Sequence, residues 1–193
     1  MVRTLAFDRD EVVRSALEVF WRDGYAGASL PTLEGATGLS RSSIYNTFGS
    51  KRGLFDAAVQ NYLDEVVRPR LRPLRSVTVD RAAILDYLDG LRAVFSRAVG
   101  PPGCLLVNAA ATPLAADGDV ARVIIDYRNE LHAAIGNGVR AFLADDSAAD
   151  ADRLTDAVTD LVVAAFALVR VAPDVAIHTL ATAHELITRE RPA

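Results

Sequence analysis

The chain has 193 residues, of which 51% are hydrophobic and 24% charged, and its formal net charge at neutral pH is −4. This composition excludes a disordered chain and allows one domain, or a small domain joined to a larger one. Alanine, leucine and valine are abundant and aromatic residues are few, which favours packed helices. A single cysteine excludes an internal disulfide and fits a reducing compartment, so we expect a cytoplasmic protein.

Neither a leader nor a membrane anchor is expected. Met1–Phe7 runs directly into the charged stretch Asp8–Glu11, which is not the pattern of a secretory leader. The longest apolar run, Leu161–Val169, is too short to span a bilayer. We therefore expect no contact with a membrane.

Charge is distributed unevenly along the chain. Residues 1–75 carry 11 Lys and Arg against 9 Asp and Glu, whereas the remainder carries 10 against 16. A mildly basic N-terminal part joined to an acidic body is the arrangement expected of a DNA-binding module attached to a domain that does not bind DNA.

Two helices are predicted before residue 38. Asp8 and Glu11 form a capping box that starts an amphipathic helix ending near Gly24. Ser29 caps a short second helix, in which Leu33 and Ala36 are predicted to face the core.

The segment Thr37–Lys51 predicts the turn and second helix of a helix-turn-helix. Gly38 permits a sharp turn, and Ser40 is a good N-cap for a helix that packs through Ile44 and Phe48. Small polar side chains, one arginine and one tyrosine occupy its other faces, which suits a helix in a DNA major groove. Residues 35–55 contain no Asp or Glu, which favours a surface that faces phosphates. The alternative is an ordinary helix start, since Ser and Thr are common there.

The motifs that extend this pattern are Phe7–Asp10, Ala16–Phe20, Gly24–Ser29, Thr37–Ser40, Ile44–Lys51 and Leu54–Phe55. With them, the first sixty or so residues resemble the TetR family of bacterial transcriptional repressors. The resemblance implies an all-α fold of about nine helices. It comprises a three-helix DNA-binding domain at residues 1–50 and an effector-binding and dimerisation domain at residues 51–193. It also implies a homodimer on a palindromic double-stranded DNA operator.

The resemblance also implies roles for individual residues. Ser29 is expected to contact phosphate, and Arg41, Ser42 and Ser43 to lie at or near the groove. The DNA backbone is expected to contact Tyr45, Thr47 and Lys51, with Asn46 able to reach either. The sequence departs from the family pattern at Pro31 and Gly35, and at position 42, where glycine is common in relatives.

The body is predicted to be helical throughout. A helix capped by Ser50 and running through Val67 links the two parts and is expected to end at Pro69 and Pro73. The arginines that follow fit a solvated helix end, with a nucleic-acid patch as the alternative; they are Arg68, Arg70, Arg72 and Arg75. Further helices are predicted over residues 80–99, 104–111 and 117–143, then a polar loop at 145–151 and a final helix pair.

The final pair, residues 150–189 or so, is predicted to form the homodimer. Its first helix is apolar around much of its circumference from Leu161 to Val169, so it needs cover on more than one side. A second copy of the pair provides this in a two-fold four-helix bundle. The alternative is a core helix covered within one chain.

Trp21, in the first helix, is predicted to be a packing residue.

The body is also the expected site for a small, mostly apolar effector. Candidate lining residues are Tyr62, Tyr87, Phe95, Asn108, Tyr127, His132, Phe166 and Arg170. Cys104 follows Pro101–Gly103 at a helix start, where a thiolate is favoured, so a redox or electrophile sensor is one hypothesis. The alternative is that Cys104 is a small buried apolar residue.

Other chemistry is not indicated. Gly136–Ala141 matches the letters of a dinucleotide fingerprint but lies within a predicted amphipathic helix. No His pair has metal-ligand spacing, and no nucleophile elbow or phosphate loop occurs, so we predict no cofactor, no metal and no enzymatic activity. We predict a DNA-binding repressor released by an effector. The alternatives are an enzyme acting on an apolar small molecule in the body, and a helical scaffold whose N-terminal part binds protein.

Overall fold

A computed structural model describes residues 7–97, 103–143 and 148–189. Within these ranges the chain is helical and contains no strand, which confirms the all-α prediction. The helices are α1 (Arg9–Gly27), α2 (Leu30–Thr37), α3 (Arg41–Phe48), α4 (Lys51–Tyr62), α5 (Ala83–Ser96), α6 (Leu105–Ala110), α7 (Gly118–Leu143), α8 (Ala148–Leu168) and α9 (Pro173–Arg189). None of the described helices has the length and apolar character needed to cross a bilayer.

The chain divides into two compact units, Met1–Val67 and Arg68–Ala193. The division falls later than residue 50 because α4 packs against α1 and belongs to the first unit. We call the first unit the head and the second the body.

The core of the head combines aromatic and aliphatic side chains. The ring of Phe20 on α1 meets that of Phe55 on α4 edge-on, with centroids 5.2 Å apart, and Leu33 and Ile44 are fully buried. The cap predicted at Asp8 is confirmed, since its carboxylate accepts from the Asp10 and Glu11 amides. Burial of Leu33 was predicted correctly. Ala36 was predicted wrongly, because it is exposed on this short helix.

Helical structure after α4 continues further than the sequence predicts. A π-helical turn at Leu63–Val67 and a last α-helical turn at Arg68–Leu71 carry the chain past Pro69. Proline removes an amide and clashes with the carbonyl four residues before it, and a widened turn there relieves both. The predicted end at Pro69 is therefore wrong, whereas the last α-helical turn does end at Leu71, before Pro73.

The body packs its long helices closely. Gly138 on α7 allows a close approach, because a Cβ there would lie 2.6 Å from Leu74 Cδ2 and 2.8 Å from Ile84 Cβ. Of the predicted helix over residues 80–99, residues 83–96 form α5, and residues 98 and 99 lie outside the described range. Val94 on α5 is exposed. Most of the predicted break at 100–103 and part of the loop at 145–151 lie outside the described residues.

Arginines near the start of the body are partly paired within it. Arg68 Nε lies 3.5 Å from the Glu130 carboxylate on α7, and Arg75 also bonds this carboxylate. These pairs favour the reading of a solvated helix end over that of a nucleic-acid patch.

Helices α8 and α9 keep an apolar surface outside the chain's own core. On α8, Val158, Val162 and Ala165 are buried, whereas Leu161, Val163, Ala164 and Leu168 remain partly exposed. Val171, in the turn between the two helices, is 80% exposed, and Val175, in the first turn of α9, is 52% exposed. Covering of this surface by a second copy stays a prediction.

Candidate nucleic-acid interface

The turn before α3 has the geometry of a helix-turn-helix. Gly38 ends α2 in the left-handed region at φ 68°, and its amide bonds the Glu34 carbonyl. Ser40 then caps α3, where its hydroxyl accepts from the Ser43 amide at 3.3 Å. Both features follow from the residue types, since glycine tolerates positive φ and serine is a preferred N-cap.

α3 buries one face and exposes the other. Ile44 is fully buried, and the guanidinium of Arg9 lies over the Phe48 ring, 5.3 Å from the centroid of that ring. The residues exposed on the opposite side are the predicted DNA contacts Arg41, Ser42, Tyr45 and Asn46. Ser43 and Thr47 are half-buried, and the Ser43 hydroxyl is already bonded to Ser40 at 3.0 Å. The exposed side therefore offers hydrogen-bonding groups to a ligand.

Arg41 and Tyr45 lie one helical turn apart and contact each other. The guanidinium of Arg41 lies 5.7 Å from the centre of the Tyr45 ring. A cation held over an aromatic face loses some freedom and keeps its N–H groups directed along the ring plane. The contact orders the strongest donor on the exposed face of α3.

The starts of α2 and α4 are two further polar positions in the head. Ser29 caps α2 and Ser50 caps α4, through bonds to the amides of Thr32 and Gly53. Neither helix has an acidic residue in its first turn. Helix N-termini of this kind attract anions, and a phosphate group is the anion that DNA supplies.

Lys51 adds a cation at the start of α4. Its ammonium lies 4.7 Å from the centre of the Tyr25 ring, and partial burial lowers its pKa below the usual 10.5. The neighbouring Arg52 is engaged by Asp56, 2.7 Å away. The start of α4 therefore holds a cation, Lys51, over an aromatic ring.

Sequence reasoning missed two residues of this surface. Tyr25 was grouped with a motif but given no role, although an aromatic residue after Gly24 was a usable signal. Glu34 lies just outside the acid-free window, and its carboxylate accepts from the Arg41 amide at 2.5 Å. Both contacts join residues on different helices, which periodicity within a single helix does not predict.

Known proteins resemble this chain in sequence. The family model described as bacterial regulatory proteins, tetR family, matches residues 12–58. The transcriptional repressor ComR of Escherichia coli is 32% identical over 126 residues, which span 63% of this chain but only 59% of ComR. The uncharacterized HTH-type transcriptional regulator YezE of Bacillus subtilis is 34% identical over 72% of each chain.

Solved structures of other proteins match the fold of this chain along nearly its whole length. A cysteine mutant of the TetR family transcriptional regulator CifR, complexed with 26-base-pair operator DNA, is 30% identical with a TM-score of 0.79. The match covers 95% of this chain and 98% of that one. The chain belongs to the TetR family. The TetR-family resemblance of the first sixty residues is confirmed, and the head is the DNA-binding helix-turn-helix of a transcriptional regulator.

The body of this TetR-family chain contains an open groove of about 340 Å³. Ala83, Tyr87 and Leu91 of α5 contribute apolar surface, and Arg70 and Asp86 contribute charge. Burial raises the pKa of the Tyr87 hydroxyl well above its ordinary value of 10. The groove therefore suits a ligand that is largely apolar and has a polar group.

Tyr87 is the one predicted ligand residue that lines this groove. Tyr62 lies in the head, where its ring meets that of Trp21 at 4.8 Å. Phe95 and Phe166 meet each other edge-on at 5.8 Å, and Tyr127 is buried. The more polar candidates are half-buried Asn108, His132 bonded to Asp156 at 2.8 Å, and exposed Arg170. Their roles as ligand contacts stay predictions.

Cys104 is fully buried at the start of α6. Its burial favours the reading as a small apolar residue, while reactivity stays a prediction. Within the described ranges, no three His, Cys, Asp or Glu side chains form a group suited to a metal ion.

Proposed function

We propose that this TetR-family regulator is a homodimeric repressor that binds a palindromic operator and is released by a small, mostly apolar effector. The observation that carries the DNA-binding role is the exposed side of α3, flanked by two serine-capped helix starts without first-turn acids. ComR and AcnR are named repressors, whereas FasR of Mycolicibacterium smegmatis is named an activator.

Contacts in the head divide into two kinds. Ser29, Tyr45, Thr47 and Lys51 serve the phosphate backbone, because their donors lie at helix starts or on the flank of α3. Arg41 and Ser42, with Ser43 beside them and Asn46 able to reach either target, serve the base edges. Phosphate contacts determine position and affinity, and base contacts determine sequence choice.

Dimerisation through α8 and α9 brings two heads to one operator. The apolar surface at Leu161, Leu168, Val171 and Val175 supports this arrangement, because a stripe of that kind is covered in a two-fold four-helix bundle. Sedimentation of Leu161→Glu with Leu168→Glu is expected to show monomers, and the dimer interface lies elsewhere if these changes leave the dimer intact.

Release by an effector follows from linkage. The effector must bind the arrangement that does not bind DNA more tightly than the one that does. The groove in the body supports this role because Arg70 belongs to the helical turn that directly continues the segment after α4. An effector held there acts on residues adjoining the head in sequence.

The deciding experiment is binding of the purified protein to DNA upstream of its own coding region, against a scrambled duplex, across a salt series. Preference for the upstream DNA at moderate salt supports the proposal, and absence of binding to either duplex at low salt overturns it. A reporter gene under the bound DNA then distinguishes repression from activation, and compounds are screened for release.

Two substitutions separate the two kinds of contact. Lys51→Ala is expected to weaken binding to all sequences equally. It should also reduce the salt slope, which is the fall in the logarithm of the binding constant with the logarithm of the salt concentration, by about 0.9, the value for one phosphate. Arg41→Ala is expected to lose about 1–3 kcal/mol of discrimination at one base pair. The assignment is reversed if Lys51→Ala alters sequence preference and Arg41→Ala does not.

A further inference from the structure

Glu34 bonds both sides of the turn between α2 and α3. Its carbonyl accepts from the Gly38 amide at 3.0 Å, where α2 ends. Its side-chain carboxylate accepts from the Arg41 amide at 2.5 Å, where α3 begins. The residue is half-buried, so this carboxylate is placed by the fold at the N-terminus of α3.

The carboxylate and the serine cap together occupy the start of α3. The Arg41 amide is bonded by Glu34, and the Ser43 amide is bonded by the Ser40 hydroxyl. A phosphate at a helix N-terminus needs these first-turn amides and is attracted by the positive end of the helix dipole. Glu34 supplies a negative charge at that position, so it removes donors and repels an incoming phosphate.

The starts of α2 and α4 differ in this respect, whereas α1 begins with Asp8, Asp10 and Glu11. α2 and α4 are capped by Ser29 and Ser50 alone, without first-turn acids, and Lys51 adds a cation beside α4. Phosphate attraction is therefore concentrated at α2 and α4. The start of α3, from which Arg41 projects, is protected from phosphate.

We propose that Glu34 determines specificity by keeping DNA phosphates away from the N-terminus of α3. Binding to non-operator DNA is mainly phosphate contact, so the carboxylate lowers it selectively. Operator binding depends also on base contacts, for which Arg41 is kept free of a phosphate partner. This inference rests on the proposed DNA-binding function, and it adds a positioning residue that itself contacts no base.

The test compares Glu34→Gln with Glu18→Gln across the salt series. The side-chain amide oxygen in Glu34→Gln is still able to accept from the Arg41 amide, whereas the charge is lost. Glu18 is exposed on α1, and its replacement changes the net charge of the head by the same amount. Glu34→Asp is a second variant, which keeps the charge on a shorter side chain. Each variant is first checked for a wild-type unfolding transition.

Glu34→Gln is expected to tighten binding to the scrambled duplex about three- to tenfold at low salt, with a salt slope steeper by about 0.9. Operator affinity is expected to change less. The specificity ratio, which is the affinity for the operator divided by that for the scrambled duplex, therefore falls. Glu18→Gln should leave the slope unchanged, and Glu34→Asp should keep scrambled binding weak. If Glu34→Gln does not fold, the test rests on Glu34→Asp. Tight binding of Glu34→Asp to the scrambled duplex overturns the proposal, and binding as weak as that of the wild-type protein supports it.

Three outcomes would contradict the role of Glu34 and leave the proposed DNA-binding function intact. Equal shifts for Glu34→Gln and Glu18→Gln would assign the effect to net charge. An unchanged specificity ratio in Glu34→Gln would leave the carboxylate without a role in DNA choice. A loss of discrimination confined to one base pair would make Glu34 a direct base contact. Failure of the wild-type protein to bind either duplex would instead overturn the proposed function.

Discussion

The ammonium of Lys51 lies 4.7 Å from the centre of the Tyr25 ring, so the end of α1 orients the cation at the start of α4. Gly24, at φ 73°, interrupts α1 and turns the following residue toward the core. The Tyr25 ring is fixed there against Phe20 and Phe55, with centroids 6.1 and 5.2 Å away. The position of Lys51 thus depends on the aromatic core of the head.

Replacement of Tyr25 by leucine is expected to weaken binding to all DNA about two- to fivefold. The reason is that a cation–π contact of this exposure contributes about 0.5–1 kcal/mol to holding Lys51 in place. Tyr25→Phe keeps the ring and serves as the matched control. Titration of operator and scrambled duplexes measures the effect, and equal losses in both variants would assign it to the hydroxyl instead.

Residue patterns predict the helices of the head better than the contacts between them. Ser29, Ser40 and Ser50 were identified as caps because capping acts within three residues of sequence. The Tyr25–Lys51 and Glu34–Arg41 contacts depend on how helices pack, and no local pattern encodes that. The π-helical turn before Pro69 was missed for a related reason, since proline predicts an end unless the preceding turn widens.

The candidate ligand site was less predictable than the DNA-binding surface. Tyr62 and Phe95 lie on apolar helix faces, and such faces serve a core and a cavity equally well. Only the folded chain shows that Tyr62 contacts Trp21 in the head and that Tyr87 lines a groove. Composition therefore predicts a ligand class, and the folded chain offers the groove as a candidate place for such a ligand.

Tyr62 is expected to act on the stability of the head. Its ring meets Trp21 edge-on at 4.8 Å and is 2% exposed, so Tyr62→Ala should reduce the free energy of unfolding by about 3 kcal/mol. Tyr62→Phe keeps the ring and should cost at most about 1 kcal/mol. Denaturant unfolding followed by the fluorescence of Trp21, the chain's single tryptophan, measures both. Loss of effector binding at unchanged stability would instead support the prediction that Tyr62 contacts the ligand.

Cys104 is expected to resist thiol reagents in the native protein. It is fully buried at the start of α6, so a reagent reaches it only when the body opens. Labelling is predicted to be slow in buffer and complete in denaturant, as followed by mass. Rapid labelling of the native protein, together with loss of operator binding, would instead support the sensor hypothesis. Cys104→Ala, which removes the thiol, is the control for that loss.

Close packing accounts for one glycine of Gly136–Ala141, the segment whose residues match a dinucleotide-binding fingerprint. Gly138 lies inside α7, where a Cβ would lie 2.8 Å from Ile84 Cβ and 2.6 Å from Leu74 Cδ2. Both neighbours are fully buried, so neither moves without disturbing the core. Gly138→Ala is therefore expected to cost about 1–3 kcal/mol by overpacking, less about 1 kcal/mol gained in helix propensity.

Gly90→Ala is the matched control for Gly138→Ala. Gly90 is also inside a helix, but a Cβ there meets no atom within 4 Å, so alanine should gain up to about 1 kcal/mol. Thermal unfolding at one protein concentration compares the two, and 1 kcal/mol corresponds to about 2–4 °C in a chain of this size. A Gly138→Ala protein as stable as Gly90→Ala would mean that α7 and α5 separate without cost. The close approach of these helices would then not be what requires glycine at position 138.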